Sequence, residues 1–166
     1  MPSDPKAAVA QVPLSGLLDI ALEALLIEFR VELEAAGYAE LRPTHGCVFR
    51  FVREEGMRLT ELATLAGITK QSAGEIVDEL ARLGYVERIP DPEDRRAKLI
   101  SLTAKGEEAQ RTGYGLFAKL ESRWAESFGE ERMAGLRELL EEVASTKAPH
   151  LVPELSRAAQ AELTPS

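Results

Sequence analysis

The segment 59–102 constrains the fold more than any other part of the chain, because two helical patterns and two strand patterns follow one another within it. The helical patterns cover 60–65 and 69–83, and each begins with a threonine whose side-chain oxygen can cap a helix. Gly67 lies between them, where a tight turn needs a residue that tolerates positive φ. The spacing therefore predicts two short helices packed around a tight turn.

The second of these helices has one apolar and one polar side. Its apolar residues recur at helical spacing: Ala73, Ile76, Val77, Leu80 and Leu83. The residues left on the other side are Lys70, Gln71, Ser72, Gly74, Glu75 and Asp78. A helix with a short, polar N-terminal half can enter the major groove of DNA and reach the base edges. This helix is therefore the candidate recognition helix of a helix-turn-helix.

The N-terminal end of this helix carries side chains suited to reading bases. Glutamine can pair with adenine, hydroxyl groups donate or accept, and lysine reaches guanine or phosphate. The candidates are Thr69, Lys70, Gln71 and Ser72, together with Gly74, which permits close approach of the backbone. Glu75 leaves alternatives open: its carboxylate can repel phosphate, accept from cytosine N4, or lie against its own helix surface.

Two strand patterns follow, over 85–90 and 98–102, and the turn Asp-Pro-Glu-Asp-Arg-Arg joins them. Arg95, Arg96 and Lys98 give this predicted hairpin a basic flank. An arginine on such a wing can enter the minor groove beside the recognition helix. A solvated charged turn is the alternative, but the order helix, turn, helix and hairpin favours a winged helix-turn-helix.

Long amphipathic helices are predicted on both sides of this segment. The first covers 14–36, and a shorter helix is predicted over 43–55. Thr103 can cap a fifth helix, whose apolar stripe is Leu116, Phe117, Leu120, Trp124 and Phe128. A sixth helix carries Met133, Leu136, Leu139, Leu140 and Val143. The predicted fold class is mainly α with a small β wing.

The predicted organisation is a single intertwined domain of three parts. An N-terminal dimerisation helix covers 14–41, the winged helix-turn-helix lobe covers 42–103, and C-terminal dimerisation helices cover 104–160. We expect the ends, 1–12 and 161–166, to be mobile, because terminal segments rich in Pro, Ser and Ala rarely pack.

The net charge of -8 is unfavourable for a protein that binds phosphate, but the acidic residues are unevenly distributed. The segment 42–106 holds 11 Lys or Arg and 10 Asp or Glu, a net charge of +1, and the rest of the chain carries -9. The chain has no run of about 18 apolar residues that would span a bilayer, and no signal-peptide pattern at its N-terminus. We therefore expect a cytoplasmic protein without a membrane partner.

Cys47 is the only cysteine, so the chain can form neither an intramolecular disulfide nor a metal site of several thiolates. His45 is two residues away, and residues at i and i+2 point to different sides of a helix, which argues against a thiol hydrolase. The sequence shows neither a glycine-rich phosphate loop nor paired catalytic carboxylates, so we predict no enzyme activity and no cofactor. A metal-responsive or redox-responsive regulator of the same fold stays open as an alternative.

The segment LTELATLAGITKQSAGEIVDELARLGYVERIPDPEDRRAKLISLTAKG, with DRR at the wing tip and LTAKG entering the next helix, resembles the MarR family of bacterial transcriptional regulators. The resemblance covers roughly Leu14 to Val143. It implies a homodimer, most often a repressor, that binds double-stranded DNA at a pseudo-palindromic site. A winged helix used only for protein contacts is the alternative, although such a module needs no basic wing.

The resemblance also implies roles for individual residues. Asp94 would orient the wing, Arg96 would enter the minor groove, and Arg95 and Lys98 would meet phosphate. Gln71, Ser72 and Gly74 would face the bases, although Glu75 and Gly74 depart from the residues more common in the family. Base preference is therefore not transferred from the family.

A small phenolic or otherwise aromatic effector is a further implication of the resemblance. The family holds such ligands between the dimerisation helices and the DNA-binding lobe. The candidate pocket residues here are Phe29, His45, Phe49, Tyr114 and Trp124. Aromatic side chains at helical spacing are more often core residues, which is the alternative for this set.

Overall fold

The computed structural model describes residues 9–53, 55–94 and 96–151. The chain order is α1 (Leu14–Ala35), a 3-10 turn (Pro43–His45), α2 (Gly46–Phe51), β1 (Met57–Arg58), α3 (Leu59–Ala66), α4 (Lys70–Arg82), β2 (Val86–Pro90), β3 (Lys98–Leu102), α5 (Ala104–Phe128) and α6 (Glu130–Lys147). The predicted fold class, mainly α with a small β wing, is confirmed. Residues 161–166, and 1–8 of the predicted mobile N-terminal end, lie outside the described residues.

The three strands form one antiparallel sheet in the order β1-β3-β2. β2 and β3 make the predicted hairpin, with Val86 opposite Leu102 and Pro90 opposite Lys98. β1 was not predicted, because two residues are too few to show an alternating pattern. Met57 of β1 pairs with Ile100 of β3, and each is only 1% exposed. The third strand therefore anchors the hairpin to the core.

The helix-turn-helix forms at the predicted position, with one difference at its start. Gly67 ends α3 with φ +64°, in the left-handed region that favours glycine. Thr69 caps α4, and its Oγ1 accepts the backbone N–H of Ser72 at 3.1 Å. The predicted cap at Thr60 is wrong: β1 runs directly into α3, so Arg58, with extended backbone, takes the N-cap position.

The predicted helix over 43–55 is wrong in extent. The segment begins as a 3-10 turn and continues as α2, which ends at Phe51. Val52 is extended (φ -69°, ψ 123°), because the chain must leave the helix to reach β1. Val48, Phe51 and Val52 are buried, and Phe49 is only half-buried.

We call residues 57–102 the winged lobe, and its core lies between α3, α4 and the sheet. Its largest fully buried side chains are Met57, Leu62, Val77, Leu80, Tyr85 and Ile100. Tyr85 Oη donates to Glu40 Oε1 at 2.6 Å, and burial raises the pKa of Tyr85. Lys105 Nζ lies 4.0 Å from the centre of the Tyr85 ring. Tyr85 therefore joins the lobe to the segments before and after it.

α5 begins in direct contact with the lobe. Thr103 caps the helix as predicted, since its Oγ1 accepts the N–H of Gly106 at 3.1 Å. A Cβ atom at Gly106 would lie 2.0 Å from the carbonyl oxygen of Tyr85. Only glycine fits this close approach of two backbones.

The terminal helices α1, α5 and α6 pack much less completely than the lobe. Phe29 of α1 stacks on Phe117 of α5, with ring centroids 4.0 Å apart. Arg123 of α5 binds Glu28 and Glu32 of α1 at 3.0 and 2.7 Å. No residue of α6 is buried. Within the described residues, no helix is both long enough and apolar enough to cross a membrane.

Candidate nucleic-acid interface and cavity

α4 divides into a buried and an exposed side, as its sequence predicts. Ala73, Val77 and Leu80 are fully buried. The opposite side is exposed and carries Lys70, Gln71, Glu75 and Asp78. The polar side of the candidate recognition helix is therefore accessible along its length.

The predicted base-reading residues do not all have the same freedom. Thr69 and Ser72 form the cap of the helix, with their hydroxyl oxygens 2.9 Å apart. Lys70 is exposed and Gly74 is half-buried, with room for a Cβ 3.8 Å from Leu59 Cδ2. Lys70 and Gln71 therefore extend furthest from the helix, and the two hydroxyl groups mainly shape its first turn.

Glu75 lies along its own helix surface, one of the positions predicted for it. Gln71 Nε2 donates to Glu75 Oε1 at 3.1 Å, one turn apart. Both side chains stay exposed, so the carboxylate also lies on the side that would face a groove.

The wing turn is shaped by Asp94, the residue predicted to orient it. Asp94 Oδ1 accepts the backbone N–H of Arg96 at 3.0 Å, and its carbonyl oxygen accepts the N–H of Ala97 at 2.8 Å. Arg96 and Lys98 are exposed. Arg95, also predicted to contact DNA, lies outside the described residues.

Asp91 braces the base of the wing, and sequence reasoning missed it. Its carboxylate is 5% exposed and accepts from Arg58 Nε and Nη2 at 2.8 and 2.7 Å. The backbone N–H of Glu93 and then the Arg58 guanidinium hold the pKa of Asp91 below its ordinary value of 3.8. An aspartate before a proline at the end of a strand was the available signal, since such residues close turns through their side chains.

A second ion pair connects the recognition helix to the wing. Arg88 Nη2 of β2 lies 2.6 Å from Asp78 Oδ1 of α4. The pair is exposed, so it contributes little to stability.

A cavity of about 580 Å³ lies where α1, α2 and α5 meet. Phe29, His45, Phe49 and Tyr114, four of the five predicted pocket residues, line it. Trp124 does not: its Nε1 donates to Glu28 Oε1 at 2.9 Å, and its ring meets Phe128 edge-on. On α5 the wall ends at Phe117, seven residues before Trp124. That the other four residues bind a ligand stays a prediction.

The charged residues of the cavity wall are all basic. Arg30, Arg42 and Arg50 line it, and no Asp or Glu is among the described lining residues, although the chain as a whole is strongly acidic. Arg50 lies over the Phe51 ring at 5.0 Å. The cavity thus combines an apolar interior with guanidinium groups, a combination that suits an apolar body bearing a negative charge.

Two lining residues contact the recognition helix. His45 Nδ1 accepts the backbone N–H of Arg42 at 3.1 Å, which places the proton of the neutral ring on Nε2. Nε2 lies 3.2 Å from Glu79 Oε2 of α4, and the Arg42 guanidinium pairs with Glu79 Oε1. The contact with His45, followed by the charge of Arg42, lowers the pKa of Glu79. The cavity wall and α4 therefore share one ion-pair cluster.

Cys47 also lines the cavity. Its Sγ lies 3.3 Å from the carbonyl oxygen of Thr44, to which the thiol donates, and burial raises its pKa. A raised pKa keeps the thiol protonated and poorly nucleophilic. In the part of the chain that the structure describes, no group of three His, Cys, Asp or Glu residues is placed to hold a metal ion.

Comparison with known proteins identifies the family. Residues 40–97 match the family model described as MarR family. The solved structure of transcriptional regulator PA4135 is 33% identical and superposes with a TM-score of 0.66, covering 82% of this chain and 99% of that one. The chain belongs to the MarR family of transcriptional regulators. The predicted resemblance is confirmed.

Two further relatives extend the comparison of this MarR-family chain. The HTH-type transcriptional regulator FarR of Neisseria gonorrhoeae is 29% identical over 148 residues, which are 87% of this chain and 94% of FarR. CouR from Rhodococcus jostii RHA1, solved bound to p-coumaroyl-CoA, is 26% identical, with a TM-score of 0.61 over 79% of this chain and 91% of CouR. The matched family is one of regulators with a DNA-binding winged-helix fold, rather than of enzymes.

Proposed function

We propose that this MarR-family regulator is a homodimeric repressor that binds a pseudo-palindromic operator and is released by a small ligand. The observation that carries the proposal is the apolar surface of the terminal helices beside the winged lobe. Large apolar side chains are exposed at Val9, Leu14, Leu18, Ile20, Leu22, Ile27, Val31, Phe128, Leu136, Leu139, Leu140 and Val143. All of them lie outside the winged lobe. Exposed apolar patches of this kind mark interaction sites, and a second copy of the chain would cover this one.

A two-fold dimer explains the form of the proposed operator. Each winged lobe would place α4 in the major groove, and the two half-sites would be about one helical turn apart. Lys70 and Gln71 support base contacts because they are exposed at the start of α4. Bound across a promoter, such a dimer would obstruct the polymerase.

The wing supports the second contact of each lobe. Arg96 is exposed at the turn that Asp94 shapes, and in the proposed complex its guanidinium enters the minor groove. Lys98, and Arg95 next to Arg96 in the sequence, would meet phosphate.

The cavity supports release by an aromatic or otherwise apolar anion. Its volume suits a small molecule, its three arginines suit a carboxylate, and the relative CouR was solved with an aromatic thioester bound. An anion that takes Arg42 from Glu79 would loosen the segment before α2 from the recognition helix. The ligand favours the DNA-incompetent form only because it binds that form more tightly.

Fluorescence anisotropy on the chain's own upstream DNA tests operator binding. The wild type should bind this duplex at nanomolar concentration, prefer it to a scrambled duplex, and weaken steeply with salt. Arg96→Ala should lose about tenfold in affinity. Arg111→Ala, which removes an exposed arginine from α5, should bind like the wild type. Equal, weak binding to both duplexes would contradict the proposal and leave a protein-contact role for the winged helix.

Release is tested by adding 2-naphthoate, or its uncharged amide 2-naphthamide, to the protein–operator complex. The two probes have nearly the same shape, so only the carboxylate can compete with Glu79 for Arg42. We expect release by the acid, none by the amide, and a weakened response of Arg42→Gln to the acid. Equal release by both probes would contradict a role for Arg42.

A further inference from the structure

Gln71 and Glu75 form a hydrogen-bonded pair on the exposed side of α4, and the hydrogen bond between them can run in only one direction. Gln71 Nε2 lies 3.1 Å from Glu75 Oε1. An ionised carboxylate accepts hydrogen bonds and donates none. The Gln71 amide must therefore turn its nitrogen toward Glu75, and it cannot flip without losing the bond.

When Glu75 orients the Gln71 amide, one acceptor and one donor of the amide are left for a base. Its carbonyl Oε1 and one N–H of Nε2 have no partner in the described residues, and the oxygen and the nitrogen are neighbours on the planar amide. Adenine presents an N7 acceptor beside an N6–H donor in the major groove, whereas guanine presents two acceptors. An acceptor next to a donor matches adenine and mismatches guanine.

We propose that Gln71 reads an adenine in each half-site and that Glu75 is a positioning residue that strengthens this preference. The inference rests on the proposed operator binding. Glu75 has a second effect, because its negative charge opposes phosphate and the acceptor edge of guanine. The carboxylate therefore lowers affinity for duplex DNA in general and raises the discrimination between bases.

Selection from a random duplex library, followed by sequencing of the bound fraction, tests this role. The position read by Gln71 is the one at which Gln71→Ala loses its preference. At that position the wild type should favour adenine over guanine by about tenfold to a hundredfold. Glu75→Gln should reduce this ratio about twofold to threefold, since an amide at position 75 both donates and accepts and lets Gln71 turn over, and an exposed pair one helical turn apart orients the amide only weakly. Its binding to random duplex should rise a few fold.

Two matched variants separate orientation from charge. Asp78→Asn removes one negative charge from the same side of α4 without touching the Gln71 amide, and it should keep the adenine preference. The double variant Q71E/E75Q keeps both the charge and the intrahelical hydrogen bond but reverses its direction. Position 71 then offers only acceptors, so the preference should move from adenine to cytosine, whose N4–H₂ donates.

Each outcome decides between the possibilities. An E75Q protein that keeps the wild-type ratio of adenine to guanine, or a double variant that still selects adenine, would overturn the inference while leaving an enriched operator. A wild-type selection that enriches no sequence would overturn the operator binding itself, and the inference with it.

Discussion

The winged lobe and the terminal helices solve the problem of burying apolar side chains in opposite ways. The lobe covers its large apolar residues internally, and Met57, Leu62 and Ile100 are at most 1% exposed. The terminal helices leave theirs exposed, with Leu139 of α6 59% exposed. The winged lobe buries its apolar side chains within one chain, whereas the terminal helices bury theirs only when another surface covers them.

This difference indicates which part of the molecule can be adjusted without unfolding. A well-packed core resists deformation, so the lobe moves as one body. Apolar contacts between helices that meet across an interface can shift by small rotations. In the proposed homodimer, each copy would keep its DNA-reading surface constant while the spacing between the two copies changes.

The contrast between the winged lobe and the terminal helices predicts the largest loss of stability for a substitution in the core of the lobe. Leu62→Ala should lower the free energy of unfolding by about 2–5 kcal/mol, because it leaves a cavity that the packed lobe cannot fill. Leu18→Ala on α1 removes the same atoms from a side chain that is 46% exposed and should cost far less in a dilute sample. Chemical denaturation of both variants measures the difference, and equal losses would break the distinction between the two regions.

A charge on the apolar side of α6 should separate the two copies of the proposed homodimer. Leu139→Glu should raise the dissociation constant of the dimer about a hundredfold, since a buried carboxylate without a partner opposes association. Ser145→Glu adds the same charge on the opposite side of α6 and should leave the dimer intact. Sedimentation equilibrium distinguishes the two. If the Leu139→Glu protein dimerised as tightly as the wild type, the apolar side of α6 would not be part of the interface.

Loss of the brace at Asp91 should loosen the wing without unfolding the lobe. Asp91→Asn removes the charge that holds Arg58, and operator affinity should fall by about tenfold. Glu93→Gln, which removes an exposed charge from the same turn, is the matched control and should change affinity little. Titration of labelled operator gives both values, and an unchanged Asp91→Asn affinity would mean that the wing needs no brace.

The smallest predicted effect concerns Glu79, which connects α4 to the cavity wall through Arg42 and His45. The pKa of Glu79 is lowered in the fold from its ordinary value of 4.5, so ionised Glu79 stabilises the folded state above that pH. This stabilisation is lost as pH falls through the lowered pKa. The wild type should therefore have a higher melting temperature than Glu79→Gln at pH 6, and the gap should close toward pH 3. A gap that persists in acid would point to packing rather than charge.

The sequence predicted most of the lobe, because its elements are set by local chemistry. Gly67 and the cap at Thr69 act over three or four residues and leave a clear pattern. The brace between Arg58 and Asp91 was missed because 33 residues separate its two members. The sequence likewise does not distinguish Glu79 from other acidic residues on helices, because only the fold brings it to Arg42 and His45.

The cavity was predicted by family resemblance rather than by residue patterns. Phe29, Phe49 and Tyr114 have the spacing of ordinary core residues, so their shared wall follows from the angle between helices. The arginines were not predicted as lining residues, because an exposed arginine in a helix is usually solvated. Their convergence in an acidic chain became visible only in three dimensions.

The contact at Gly106 fuses the first turn of α5 to the backbone of the lobe, so the helix and the lobe must tilt together. α5 has 25 residues and is therefore about 37 Å long. A tilt of about 5° at one end of such a rod moves the other end by about 3 Å. In the proposed homodimer, small rotations near the far ends of α5 would therefore change the distance between the two recognition helices. A mutation there would then alter DNA binding from far outside the winged lobe.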